Sequence, residues 1–334
     1  MNQPRTYTTP RRPLLLQMVA ALIGTTAMLS TAMPSLAQSW PQRNVRFIVP
    51  LGPGSGTDVT ARLFADRLAV RWGKPVVVEN RPGGDGIVTI SAFVGAHDDH
   101  ALLFAPTSAF TAHPYLHDKL PYDLRDLVPV ARVSNTLIAI VAPDSLKVRS
   151  LAELVGVARA HPGRLNWATT TGYSDFLFAA FLKNTGLTMS KVPYRDTVQA
   201  SSDLGEGRIQ MYWGALAIVR PQVQAGKAKL LAVSNGLRAP DEPDVPTVIE
   251  AGFPALLFDG LVGLFGPRDM AVDVRERIVA DVQAVASDPA ITTRLIAAGQ
   301  LVSPGGAAEF AASIEEQRAR VAAIAREMEF KRAE

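Results

Sequence analysis

Cysteine is absent from all 334 residues of the chain. A chain without thiols cannot form disulfides, cannot bind a metal through thiolate, and cannot carry a lipid on an N-terminal cysteine. Any metal or nucleophilic site would therefore have to be built from other residue types.

An excess of charge of either sign is also missing beyond the first residues. The chain has 34 basic and 31 acidic residues, and Arg5, Arg11 and Arg12 account for the whole formal charge of +3. The chain that follows them is neutral, which argues against a nucleic-acid partner or an anionic membrane surface. With 48% apolar residues it can bury a full core, and its length predicts two domains.

The first 37 residues have the parts of a secretory signal peptide. Three arginines precede an apolar segment from Leu14 to Gly24, no charge follows until Arg43, and Ser35-Leu36-Ala37 is a small-residue cleavage site. We expect cleavage after Ala37 and release into the periplasm rather than a membrane anchor, because no basic stop-transfer flank follows. The pair Arg11-Arg12 leaves both Sec and twin-arginine export open.

The stretch from Val45 to Asp58 is the most informative part of the chain. Its apolar start is typical of a buried strand, Gly52 to Gly56 form a loop, and Thr57-Asp58 indicate the start of a helix. First-turn N–H groups have no partner inside a helix and lie at its positive end, so this unit suits an anion or a carboxylate. An ordinary βα turn with glycines for tight geometry is the alternative. The loop lacks the spacing of nucleotide-binding motifs.

Strands and helices then alternate along the chain, which predicts doubly wound α/β domains with parallel sheets. Ligands bind outside the carboxyl ends of such strands, so the first loop and Thr107-Ser108 should meet on one rim. A hydroxyl-rich loop from Thr169 to Asp175 opens a second strand-loop-helix unit, and from Val272 the pattern is helical to the end. The other predicted strands are Pro75–Asn80, Ala101–Ala105, Leu137–Pro143, Leu165–Ala168, Lys191–Tyr194, Ile209–Gly214, Lys229–Ser234 and Leu261–Pro267.

No set of residues combines a nucleophile with a base or supplies the ligands of a metal. His113 and His117 have the spacing of a zinc pair, but Pro114 lies between them and no third ligand is nearby in sequence, so we predict solvated loop histidines. We therefore predict no enzyme activity, no cofactor and no metal. A secreted α/β enzyme that acts on a small acid is the alternative.

Six motifs occur in a family-specific order and spacing. They are Trp40-Pro41, Val49-Pro50 with Pro53-Gly54-Ser55-Gly56-Thr57-Asp58, Val77-Val78-Glu79-Asn80-Arg81-Pro82-Gly83, Leu120-Pro121-Tyr122-Asp123, Val192-Pro193-Tyr194, and the run from Pro243 to Gly252. Together they resemble the Bug family, the periplasmic solute-binding proteins associated with tripartite tricarboxylate transporters. The resemblance spans essentially the whole chain after the signal peptide.

The resemblance implies the type II periplasmic-binding-protein fold, with two doubly wound α/β domains joined by two crossing strands. Domain one would comprise residues 38–138 and 262–334, domain two would comprise residues 139–261, and residues 1–37 would be the signal peptide. Such a protein captures a small organic carboxylate by domain closure and, as a monomer, presents it to the membrane subunits of its transporter. A ligand-sensing partner of a membrane sensor kinase is an alternative with the same pocket.

The resemblance also implies the ligand-binding residues, which hold the carboxylate through backbone N–H groups and hydroxyls. Where many members carry an Asp-Asn pair, this chain has Gly214-Ala215, so we expect a monocarboxylate with an apolar or aromatic body rather than a second carboxylate or an amino group. Rings of Tyr173, Tyr194, Tyr212 and Trp213 could face that body, although Tyr212 and Trp213 must point to opposite sides of their strand. The implied positions are Gly54, Ser55, Gly56 and Thr57, with Asp58 as helix cap, then Thr107, Ser108, Thr170, Thr171, Ser174, Tyr194, Trp213, Gly214 and Ala215.

Overall fold

A computed structural model of the chain describes residues 1, 3, 40–169, 172–194 and 196–328. The chain divides into two compact units, Met1–Gln42 and Arg43–Glu334. The predicted signal peptide and its cleavage site lie outside the described residues except for Met1 and Gln3, and so do Thr170 and Thr171. No helix in the described part of the chain has the length and apolar character needed to cross a membrane.

The unit Arg43–Glu334 alternates strands and helices. Its described strands are β1 (Val45–Val49), β2 (Val76–Asn80), β3 (Ala101–Pro106), β4 (Val128–Thr136), β5 (Ile138–Pro143), β6 (Asn166–Thr169), β7 (Ser190–Lys191), β8 (Met211–Ala215), β9 (Ala228–Val233), β10 (Gly260–Gly266) and β11 (Gln300–Gly305). Its described helices are α1 (Gly56–Trp72), α2 (Ile87–Ala96), α3 (Ser108–Thr111), α4 (His113–Leu116), α5 (Leu151–Ala160), α6 (Gly172–Thr185), α7 (Thr197–Gly205), α8 (Leu216–Gln224), α9 (Val272–Ala286), α10 (Pro289–Ala297) and α11 (Ala307–Met328).

The strands form two mixed sheets. The six-stranded sheet has the order β11-β4-β10-β3-β1-β2, and the five-stranded sheet has the order β7-β6-β8-β5-β9. In the first sheet, β1 is parallel to β2 and β3, but β10 is antiparallel to both β3 and β4. In the second, β6 is parallel to β7 and β8, whereas β5 is antiparallel to β8 and β9. The prediction of purely parallel sheets is therefore wrong.

The loops after β1 and β3 leave the first sheet at one edge, and those after β6 and β8 leave the second sheet at one edge. In the first sheet Pro106 is paired with Val262 and Thr136 with Gly260, so β3 and β4 end where β10 begins. In the second sheet Ile138 is paired with Ala215, and β5 follows β4 after the single residue Leu137. The loops after β1, β3, β6 and β8 therefore leave the two edges that adjoin this crossing.

Two predicted features of the chain differ from the structure. The chain from Val272 is not helical throughout, because β11 (Gln300–Gly305) extends the first sheet beside β4, a strand that the sequence pattern also did not indicate. The predicted strand Lys191–Tyr194 shortens to the two-residue β7, because Pro193 lacks an N–H group to continue the pairing.

Asp98, just before β3, provides a test of stability. Its carboxylate accepts from Arg43 Nη2 at 2.5 Å, from the His100 backbone N–H at 2.9 Å and from Arg46 Nη2 at 2.9 Å, and the side chain is 16% exposed. The hydrogen bond from Arg43 comes first among the causes that hold its pKa well below the ordinary value. Because the folded state lowers this pKa, Asp98 stabilises the protein above the unfolded pKa of about 4 and ceases to do so as pH falls.

We expect Asp98→Asn to lower the free energy of unfolding by about 2 kcal/mol at pH 7, and by progressively less below about pH 4. Urea unfolding of both proteins between pH 7 and pH 3 measures the difference. Asp66→Asn, an exposed change on α1, is the control and should shift stability by less than about 0.5 kcal/mol. A difference between Asp98→Asn and the parent that stays constant with pH would contradict the assignment.

Candidate functional site

The loop between β1 and α1 is held in shape by Asp58. Ser55 caps α1 by accepting from the Asp58 backbone N–H at 3.2 Å. The Asp58 carboxylate accepts from the Gly54 N–H at 2.8 Å, from Asn80 Nδ2 at 2.8 Å and from Arg62. Burial alone would raise the pKa of Asp58, but the hydrogen bonds from Arg62, Gly54 and Asn80 outweigh it and lower the pKa. Asp58 thus stays ionised and fixes the loop.

This arrangement decides which donors of the loop are available. The Gly54 N–H is engaged by Asp58, and the Ser55 N–H lies 3.3 Å from the Gly52 carbonyl oxygen. Gly56 and Thr57, the first residues of α1, carry N–H groups that an α-helix cannot satisfy internally. Of the four residues predicted to bind through their backbone, Gly54 and Ser55 thus have N–H groups with protein acceptors, and Gly56 and Thr57 are the better candidates.

Thr107 and Ser108 follow β3 at the same edge of the sheet. The Thr107 side chain is fully buried, and its Oγ1 donates to Gln317 Oε1 at 2.6 Å on α11. A hydroxyl group has a single proton, so Thr107 cannot also donate to a ligand in this conformation. Ser108 begins α3 and is also buried. In this conformation the Thr107 hydroxyl is bound to α11, and its contact with a ligand stays a prediction.

The second strand-loop-helix unit joins β6 to α6. Ser174 lies in the first turn of α6 and is 1% exposed. Asp175 in the same turn accepts a hydrogen bond from Thr169 Oγ1 and pairs with Lys191 Nζ at 2.6 Å. Because Thr169 is paired with Trp213, this loop leaves the sheet beside Gly214 and Ala215.

The aromatic side chains predicted to face the ligand are occupied elsewhere. Trp213 is fully buried, and its Nε1 donates to Ser234 Oγ at 2.7 Å. Tyr212 packs on the opposite side of β8, as strand alternation predicts, and Tyr173 is 2% exposed. The Tyr194 hydroxyl donates to Asp203 at 2.7 Å, and burial followed by that carboxylate raises the pKa of Tyr194 to about 12. Tyr194 remains partly exposed, and contact between these ring faces and a ligand stays a prediction.

Comparison with known proteins now identifies the family. The family model described as "Tripartite tricarboxylate transporter family receptor" (TctC) matches residues 60–330. The chain belongs to this family. Protein BugT of Bordetella pertussis is 31% identical to it over 259 residues, which cover 76% of this chain and 78% of BugT. The resemblance to the Bug family is thereby confirmed.

Solved structures of similar chains agree with this TctC-family assignment. A structure described as that of a periplasmic transporter is 29% identical, with a TM-score of 0.79 over 88% of this chain and 99% of that one. Rpa4515 of R. palustris with adipate is 27% identical, with a TM-score of 0.77 over 86% and 98% of the two chains. MatC of Rhodopseudomonas palustris with bound malate is 26% identical, with a TM-score of 0.75 over 86% and 100%. The fold is that of α/β periplasmic binding proteins, and the family is one of solute-binding proteins rather than enzymes.

One part of the TctC-family rim was missed by the sequence interpretation. The segment Gly83–Gly86 after β2 packs between the first two loops, because a Cβ on Gly86 would lie 3.4 Å from Pro50 Cβ and 3.5 Å from Ala109 Cβ. His113, predicted to be a solvated loop residue, is fully buried, and its Nδ1 lies 2.5 Å from the Tyr122 hydroxyl. That prediction is wrong because α3 and α4 turn the histidine inward. For the segment after β2, the run Gly83-Gly84-Asp85-Gly86 was the sequence signal that could have indicated its place.

A cavity of about 370 Å³ lies beside the crossing rather than between the predicted loops. Its lining includes Arg132, Asn135, Asp259 and Arg320, together with Tyr173, one of the rings predicted to face the ligand body. A cluster of Asp98, Asp99 and His100 has potential metal-ligating atoms within 4.8 Å of one another. Its carboxylates pair with Arg43 and Arg46 at the start of β3, away from the loops.

Proposed function

We propose that this TctC-family receptor captures a small organic carboxylate between its two sheets and presents it to the membrane subunits of a tripartite tricarboxylate-type transporter. The observation that carries this proposal is the placement of two helix N-termini, those of α1 at Gly56 and α6 at Gly172, on loops at the adjoining edges of the two sheets. The first-turn N–H groups of a helix have no partner inside the helix and lie at its positive end, which favours a carboxylate.

The proposal includes closure of two domains. The proposed domains are residues 38–138 with 262–334 and residues 139–261, and the passage of the chain between the two sheets at Leu137 and before β10 supports this division. Closure would bring Thr170, Thr171 and Ser174 over a carboxylate held at Gly56 and Thr57 and would bury its oxygens among donors. We also propose export, with cleavage after Ala37, and a monomer as the working form.

The proposed ligand is a monocarboxylate with an apolar body. Rpa4515 and MatC were solved with the dicarboxylates adipate and malate, so carboxylate binding is the shared chemistry. In this chain β8 ends with Gly214 and Ala215, which offer no side-chain donor to a second charged group. The body of the ligand would be apolar or aromatic, and Tyr173 and Tyr194 are the rings nearest to solvent that could contact it.

The test is direct identification of the ligand followed by calorimetry. Mass spectrometry of the protein purified under native conditions should release a small carboxylic acid from it. In a calorimetric screen we expect monocarboxylates such as hexanoate to bind at least tenfold more tightly than citrate or glutamate. Binding of citrate or glutamate without binding of any monocarboxylate would reject the ligand class, and binding of no carboxylate would reject the function.

A further inference from the structure

The backbone at Asp85 has a conformation that suits glycine. Asp85 has φ 53°, in the left-handed region, and its neighbours Gly83, Gly84 and Gly86 also have positive φ. Residues with a Cβ rarely adopt this conformation, although aspartate tolerates it better than most. Backbone preference alone would favour glycine at this position. We therefore look to the side chain of Asp85 for the reason that aspartate stands here.

The Asp85 carboxylate is directed at the start of α6 in the other half of the protein. Its Oδ2 lies 3.0 Å from the point where a Cβ on Gly172 would be, and Leu116 Cδ1 lies 2.8 Å from the same point. Gly172 is the first residue of α6, a helix of 14 residues whose first-turn N–H groups lie at its positive end. A protein carboxylate thus lies beside the first residue of that helix.

A buried histidine supports Asp85 from behind. His113 is fully buried, and its Nε2 lies 3.5 Å from Asp85 Oδ2 and has no hydrogen-bond partner within the described ranges. Burial, followed by the charge of Asp85, raises the pKa of Tyr122, so its phenol stays protonated, and its oxygen lies 2.5 Å from His113 Nδ1. In the tautomer that carries its proton on Nε2, the imidazole faces the carboxylate with a donor. Asp85 is held towards α6 by an ordered pair of side chains.

The starts of α1 and α6 differ in the protein carboxylates that lie near them. The first turn of α1 carries Asp58, whose carboxylate is engaged by Gly54, Asn80 and Arg62, so this helix start can accept the carboxylate of a ligand. The first turn of α6 carries Asp175, which is engaged by Thr169 and Lys191, and Asp85, whose side chain is 36% exposed, adds a second carboxylate close to Gly172. A second ligand carboxylate at that end would meet a like charge a few ångströms away, which is unfavourable.

We propose that Asp85 is a specificity-determining residue, and that its carboxylate at the start of α6 excludes the second carboxylate of a ligand, so that the site selects monocarboxylates over dicarboxylates. The inference rests on the proposed capture of a carboxylate at α1. It assigns the choice between one and two charges to a single side chain on the loop after β2, and it predicts that removal of this charge opens the second helix start to an anion.

The experiment compares matched acids on the full exported protein by isothermal titration calorimetry. The probes are three pairs of equal chain length, butanoate with succinate, hexanoate with adipate, and octanoate with suberate. We expect the parent protein to prefer the monoacid in each pair that binds. We expect Asp85→Asn to tighten binding of at least one diacid tenfold or more while the affinity for its monoacid changes by less than threefold.

Two further variants keep the result decisive. Asp85→Gly removes the charge and relieves the left-handed backbone, so it should fold at least as well as the parent and give the same change in selectivity. Asp269→Asn removes a charge from an exposed turn before α9 and should leave the selectivity unchanged. If acids bind but the ratio of diacid to monoacid affinity in both Asp85 variants stays within twofold of the parent, the inference is wrong while carboxylate capture stands. If no acid binds the parent protein, both are wrong.

Discussion

Asp58→Ala is expected to lower the free energy of unfolding by about 3 kcal/mol and to weaken carboxylate binding more than tenfold. The side chain is 2% exposed and gathers donors from Gly54, Asn80 and Arg62 around one carboxylate. Its loss leaves these groups without their acceptor and frees the loop whose end presents Gly56 and Thr57. Stability is measured by urea unfolding and affinity by calorimetry with hexanoate.

The choice of substitutions separates charge from shape. Asp58→Asn keeps the size of the side chain but turns one oxygen into a donor that faces other donors, so we expect it to cost nearly as much as Asp58→Ala. Asp66→Ala, at an exposed position of the same helix, should change stability by less than about 0.5 kcal/mol. If Asp58→Asn were as stable as the parent, the carboxylate would not be what holds the loop.

The local parts of this fold and site could be predicted from the sequence because their signals are local. The strand-loop-helix unit at β1 and α1 is encoded by an apolar run, glycines and a cap within 14 residues, and the structure has the strand, loop and helix where expected, although Ser55 rather than Asp58 is the capping residue. The role of Asp58 in shaping the loop was predicted for the same reason. The alternation of side chains along β8 likewise predicted that Tyr212 and Trp213 point to opposite sides of the sheet, which the structure confirms.

The parts that could not be predicted depend on contacts between distant residues. Thr107 and Gln317 are 210 positions apart. No local pattern indicates that Gln317 accepts the only hydroxyl proton of Thr107. The burial of His113 depends on Tyr122 and Asp85, which come from two other segments. The strand β11 has a polar and weakly buried sequence and exists because β4 offers it a free edge.

The crossing between the two sheets also depends on contacts between distant residues, which centre on one buried polar side chain. Asn235, which follows β9, is fully buried. Its Oδ1 accepts from the Ile138 N–H at 2.8 Å, and its Nδ2 donates to the Thr136 carbonyl and to Asn135 Oδ1, both at 2.9 Å. Asn135 Nδ2 in turn donates to Oδ1 of Asp259, just before β10, at 2.7 Å. One side chain therefore satisfies the backbone on both sides of Leu137 and links the outgoing crossing to the returning one.

Asn235→Ala should accordingly be the most destabilising of these substitutions, with a loss of about 4 kcal/mol in the free energy of unfolding. It leaves the Ile138 N–H and the Thr136 carbonyl buried without partners, and each such group costs about 1–3 kcal/mol. Asn235→Asp keeps the acceptor for Ile138 but sets a second oxygen against two other oxygens, so it should not rescue stability. Asn184→Ala, exposed on α6, is the control in the same urea titration. A loss below about 1 kcal/mol for Asn235→Ala would mean that water replaces the amide and that the crossing is not held by this side chain.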